Sequence, residues 1–71
     1  MSKINEIKAF EVTTYEAGFK PTAKRFTSKF EAYRYALEAV NYRPLSLERE
    51  GVITAFKGLE VEVEVEPIYS A

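Results

Sequence analysis

Hydrophobic and polar positions change period twice along the chain. From Ala9 to Tyr15, Phe10, Val12 and Thr14 alternate with Glu11, Thr13 and Tyr15, the two-residue period of a strand with one buried face. Glu16-Ala17-Gly18-Phe19 then supplies a glycine able to take positive φ, and Pro21 confines the next extended run, Lys20 to Phe26, to an edge or a strand start. A hairpin is expected here. Ser28-Lys29-Phe30-Glu31 matches a capping box, in which the serine hydroxyl and the glutamate carboxylate satisfy the amides that open a helix. From it Phe30, Tyr33, Leu37 and Val40 recur at steps of three and four with Ala36 beside them, so this stripe is expected to face the sheet. Pro44 predicts a helix end by about Tyr42.

The last third returns to a period of two. Lys57-Gly58 suits a two-residue turn and predicts Phe56 opposite Leu59, Thr54 opposite Val61 and Val52 opposite Val63 as one apolar face. Ile53 and Ala55 then share the other face with Glu60, Glu62 and Glu64. Keeping Leu45 and Leu47 on the buried side requires a change of parity at Gly51, as a bulge or a turn. The expected fold is α+β: a single small domain ordered β-β-α-β-β, with one helix packed on one face of an antiparallel sheet. Residues 45–49 are either a separate short strand or part of the strand that follows. The ends, 1–7 and 67–71, are expected to be loosely ordered.

Composition narrows the chemistry. The chain has 71 residues and lacks cysteine, histidine and tryptophan, and its eleven acidic residues are all glutamate. Disulfides, Cys/His zinc sites, cysteine nucleophiles and histidine acid–base mechanisms are excluded. No glycine-rich loop or acidic cage suggests a cofactor or metal, so neither is expected, and neither is enzymatic activity. Glu48 and Glu50 share one side of a strand, an arrangement that serves solubility. No apolar run has signal-peptide or membrane-spanning length, which makes a cytoplasmic protein with no membrane partner the expectation. A core this small leaves little surplus stability, so a partner or a homodimer would contribute usefully.

Charge is unevenly divided. Residues 1–45 carry eight Lys/Arg and five Glu, whereas residues 46–71 carry two and six. Within the acidic part, LEVEVEVE directs Glu60, Glu62, Glu64 and Glu66 to one side, spaced by about 6.7 Å. Such a row either guards a Val-rich strand against edge pairing or imitates a row of nucleic-acid phosphates and occupies a basic groove on a partner. A second apolar stripe on the helix, Ala32, Tyr35, Ala39 and Tyr42, predicts exposed tyrosines suited to partner binding. The tail residues Ile68 and Tyr69 folding over this stripe would close it. Third, Lys20, Lys24, Arg25, Lys29 and Arg34 are interleaved with Phe26, Phe30, Tyr33 and Tyr35. That mixture offers an alternative function as a small nucleic-acid-binding module.

The strand AFEVTTY, the glycine turn, the extended stretch ending FTS, the helix FEAYRYALEAVNY and the strand after Pro44 together resemble small phage-encoded inhibitors of host machinery. The order is similar to the podophage inhibitor of bacterial RNA polymerase and to β-sheet anti-CRISPR proteins. The resemblance spans Phe10 to Arg49, about half of the chain, and consists of topology. It implies a non-catalytic protein that blocks a host nucleic-acid-handling complex by surface contact, and it transfers no functional residue. Tyr35, Tyr42, Glu60, Glu62, Glu64 and Glu66 are the partner-binding candidates read from the chain itself.

Overall fold

A computed structural model describes residues 6–69. The elements are β1 (Ile7–Glu16), β2 (Thr22–Phe26), α1 (Lys29–Ala39), β3 (Ser46–Glu50), β4 (Ile53–Lys57) and β5 (Val61–Tyr69). All strands join one antiparallel sheet in the order β2-β1-β5-β4-β3, giving an α+β fold. The last strand therefore inserts between two hairpins. Ile7 pairs with Tyr69, so the ladder takes in positions expected to be loose; residues 1–5 and 70–71 lie outside the described residues.

Local chemistry sets each turn. Glu16 O accepts the Phe19 N–H at 3.0 Å around Gly18, whose φ of +84° is the positive value that the third residue of a type II turn requires. β2 begins only at Thr22, because Pro21 has no N–H to give a ladder. Glu50 pairs with Ile53 around Gly51 at φ +62°, which makes Gly51 a turn and 46–50 a strand of its own.

The β4–β5 turn differs from expectation. Gly58 N–H donates to Val61 O at 2.7 Å, so the turn residues are Leu59 and Glu60 in place of Lys57 and Gly58. Phe56 faces Val63 and Thr54 faces Val65. The displacement is even, so every side chain keeps its face while its partner changes. Val65 enters the core, Leu59 moves to the turn with 85% exposure, and Val52 is also exposed. Gly58 serves close packing: a Cβ there would lie 2.9 Å from Val61 Cγ1 and 3.2 Å from Val40 Cγ1.

Ser28 caps α1 as expected, its Oγ accepting the Glu31 N–H at 3.3 Å. The buried line of the helix is Ala32, Ala36 and Val40, against Val12, Phe56, Val63 and Val65 of the sheet. The stripe expected to face the sheet holds at Ala36 and Val40, and in part at Tyr33 and Leu37, and is corrected at Phe30. Phe30 is 72% exposed, and Tyr33 and Leu37 flank the alanine line on one side as Tyr35 and Ala39 do on the other. Small residues let the helix approach the sheet while the larger rings pack down its sides. Tyr33 reaches furthest: its hydroxyl bonds Thr54 Oγ1 at 3.0 Å and its ring meets Phe56 edge-on at 5.6 Å.

The helix ends at Ala39, ahead of Tyr42. Asn41 and Tyr42 turn the chain at φ +56° and +57°, and Tyr42 N–H donates to Leu37 O at 2.7 Å. The helix packs over β1, β5 and β2. Five strands at about 4.8 Å span about 19 Å, roughly twice what one helix covers. Leu45 and Leu47, expected on the buried side, are consequently 70% and 59% exposed.

Candidate functional site

Strand alternation divides the sheet into a face beneath the helix and a face without one. On the second face β5 places Glu62, Glu64 and Glu66, and the register sets Tyr15, Thr13 and Glu11 of β1 beside them. On the other flank stand Lys57 and Ala55 of β4, then Ser46 and Glu48 of β3. A shallow hollow of about 140 Å³ lies over β4, lined by Glu48, Glu50, Ile53, Ala55, Lys57, Glu62 and Glu64. Its floor is small and apolar and its two walls are acidic.

The position of the row bears on one of the two readings of it. β5 is the central strand, paired on both sides, so Glu62, Glu64 and Glu66 have no free edge to guard. The edge-protection account is corrected on this point: edge guarding requires an edge. Glu60 does not belong to the row either. It sits on the β4–β5 turn, where its carbonyl accepts Ala17 N–H at 3.2 Å.

Crowded carboxylates alter one another. Partial burial pushes the Glu64 carboxyl above its ordinary value, and repulsion from Glu62, a hydrogen bond with Glu62, and the charges of Glu66 and Glu50 add to the shift. The charge of Glu64 first, then burial and the charges of Glu62 and Glu66, raise the Tyr15 phenol. Lys57 is held protonated by its hydrogen bond and ion pair with Glu48, 3.2 Å away, and by the charge of Glu62. The face is thus an acidic field with two cations in it, Lys57 beside Glu48 and Arg25 beside Glu11, and its most crowded member, Glu64, holds a proton more readily than an isolated glutamate does. Among the described residues no group of three or more acidic side chains converges on a metal-sized point. Extended spacing along strands spreads the charges out.

The other candidates separate. Tyr35 is half-buried with its ring 5.3 Å from Phe26, whereas Tyr42 is exposed and donates its hydroxyl to Glu38 Oε2 at 3.1 Å. They do not form the joint surface that the second helical stripe implied, since α1 ends at Ala39 and Tyr42 lies beyond it at φ +57°, while Tyr35 packs against Phe26. Ile68 and Tyr69, expected as a cover for that stripe, instead continue β5 beside Ala9 and Ile7.

The five basic residues do not share a surface. Lys24 leans over the Phe26 and Tyr35 rings at 5.7 and 5.3 Å, while its neighbour Arg25 points to the opposite face and pairs with Glu11 at 3.7 Å. Lys29 lies over Tyr33 at 5.6 Å, Arg34 pairs with Glu38 at 3.7 Å, and Lys20 is in the β1–β2 connection.

Sequence reasoning missed Glu11, Tyr15 and Lys57 as members of the acidic face and assigned Glu48 and Glu50 to solubility alone. Parity across the hairpins carried the signal for β4, but only the pairing of β5 with β1 brings Glu11 and Tyr15 alongside. No helix among the described residues is long and apolar enough to cross a membrane. No family model, curated protein or solved structure matches the chain.

Proposed function

We propose that this protein is a non-catalytic inhibitor or adaptor that binds another protein through the acidic open face of its sheet, where Glu62, Glu64 and Glu66 stand in for a row of phosphates. The observation that carries this reading is the placement of the row on a central strand, on the face that no helix of the described residues covers. Glu50 on one flank adds to the negative field, while Glu48 and Glu11 are each offset by a cation, Lys57 and Arg25. A basic groove built for nucleic acid is the complementary surface, because lysines and arginines that meet phosphates can meet carboxylates in the same way. With no cysteine, histidine or aspartate, occupation of the groove accounts for inhibition without chemistry. The resemblance to phage-encoded inhibitors, the anti-CRISPR type among them, makes a bacterial nucleic-acid-handling complex the partner class and the host cytoplasm the location.

Competitive elution tests this. A bacterial lysate is loaded on DNA-cellulose and washed with the native protein or with the Glu62→Gln/Glu64→Gln/Glu66→Gln variant. The reading expects a distinct protein to be released by the native chain and retained with the variant. Equal release by both contradicts it. A mobility shift of labelled DNA or RNA by the isolated protein would instead support the basic segment as a nucleic-acid site.

A further inference from the structure

The two edges of the sheet are unlike. At one edge, β2 starts next to Pro21, its Phe26 is covered by Tyr35, Lys24 lies across both rings and Arg25 is paired with Glu11. At the other edge, β3 is exposed along its whole length, as β2 is from Thr22 to Arg25, but no aromatic ring or cation of the described residues is stacked over β3. An antiparallel ladder turns the backbone groups of alternate residues away from the neighbour, so β3 offers a row of outward N–H and C=O groups. Its side chains are sorted by face. Leu47 and Arg49 lie on the helix side, opposite Phe56 and Thr54, with Leu45 just before the strand, and the two leucines are exposed. Ser46, Glu48 and Glu50 lie on the open side, continuing the acidic hollow, with Glu48 shared with Lys57 at 3.2 Å.

The geometry points to β3 as a strand-addition site for an extended partner segment in which basic and apolar residues alternate. Backbone bonds to the edge would supply affinity and side-chain alternation the specificity. Basic side chains would meet Glu48 and Glu50 while apolar ones cover Leu45 and Leu47; a slip of one residue would reverse both matches. Pairing of two β3 strands about a two-fold axis brings the carboxylates of both copies together, so an external basic segment is the better-matched occupant. This inference rests on the protein-binding reading above and adds the form in which the partner docks.

The probe is a fluorescein-labelled peptide alternating lysine and valine, titrated into the full chain and followed by anisotropy. A second peptide, N-methylated at every backbone amide, keeps the charge and side chains but cannot donate to a ladder. Strand addition predicts that methylation weakens binding by roughly tenfold or more. It also predicts that amide chemical-shift changes concentrate at residues 45–50, and that Glu48→Lys/Glu50→Lys loses the lysine–valine peptide and gains a glutamate–valine one. The Glu62→Gln/Glu64→Gln/Glu66→Gln variant should bind the lysine–valine peptide with a far smaller loss. Equal binding of the methylated peptide, or shift changes confined to β5, overturns strand addition while leaving the acidic-face reading standing. No binding of the lysine–valine peptide overturns it as well. So does self-association in sedimentation that the peptide fails to compete, since the occupant would then be a second copy.

Discussion

Tyr33 and Thr54 join their hydroxyls at 3.0 Å across 21 residues of sequence, and this bond ties the helix to the β3–β4 hairpin. Thr54 is buried. Tyr33→Phe leaves a buried hydroxyl unpartnered and is expected to cost about 1–3 kcal/mol. Adding Thr54→Val should recover most of that loss, because replacing both partners removes the desolvation penalty along with the bond. Urea denaturation of the two single variants and the double variant checks this; equal losses in Tyr33→Phe and the double variant would contradict it.

The alanine line predicts a contrast between two phenylalanines. Phe56 is buried between Tyr33 and the β5 valines, so Phe56→Ala should cost about 3–5 kcal/mol and unfold much of the population at room temperature. Phe30 is exposed on the first helical turn, and Phe30→Ala should stay within about 0.5 kcal/mol of the native chain. Thermal melts followed by circular dichroism separate these outcomes.

Gly58 is expected to tolerate no side chain. With Val61 and Val40 already 2.9 and 3.2 Å from a Cβ, Gly58→Ala should destabilise by about 1–3 kcal/mol through overpacking. Val40→Ala in the same chain should relieve part of the strain, so the two changes should cost less together than the sum of their separate effects. A denaturation cycle measures this coupling.

What was legible in the sequence was local. Ser28 with Glu31, Gly18 and Gly51 each determine a cap or turn within a few residues, and strand alternation put Ile53 and Ala55 on the face of Glu62 and Glu64 before their partners were known. The rest depends on distant contacts. Lys57-Gly58 has the composition of a turn, but Gly58 is needed against Val40, so the turn moves to Leu59-Glu60. The helix offered two apolar stripes, and the sheet contact took Ala36 and Val40 from the first and Ala32 from the second because close approach outweighed burial of Phe30. No local pattern states that the last strand inserts beside the first. That insertion made the acidic row central and gave it Glu11 and Tyr15 as neighbours.

Glu64 gives the fold a dependence on pH. Its carboxyl is raised above the ordinary value, so the folded state holds a proton there more readily than the unfolded chain. The stability from this group is fully present below the unfolded value and is lost as pH rises through the folded one. Glu64→Gln, which mimics the protonated form, should therefore raise the melting temperature at pH 7. The difference should shrink towards zero near pH 3, where both states of the native chain are protonated. A lowered melting temperature at pH 7 would contradict this sign.

Salt dependence tests the acidic face most directly. For a protein released from DNA-cellulose and purified, the dissociation constant is measured across a series of salt concentrations with the native chain and with Glu62→Gln/Glu64→Gln/Glu66→Gln. If these carboxylates replace phosphates, the native complex weakens steeply as salt rises, and the variant binds more weakly at low salt with a flatter slope. Unchanged affinity at low salt and an unchanged slope, in a variant that melts as a folded protein, would contradict the account.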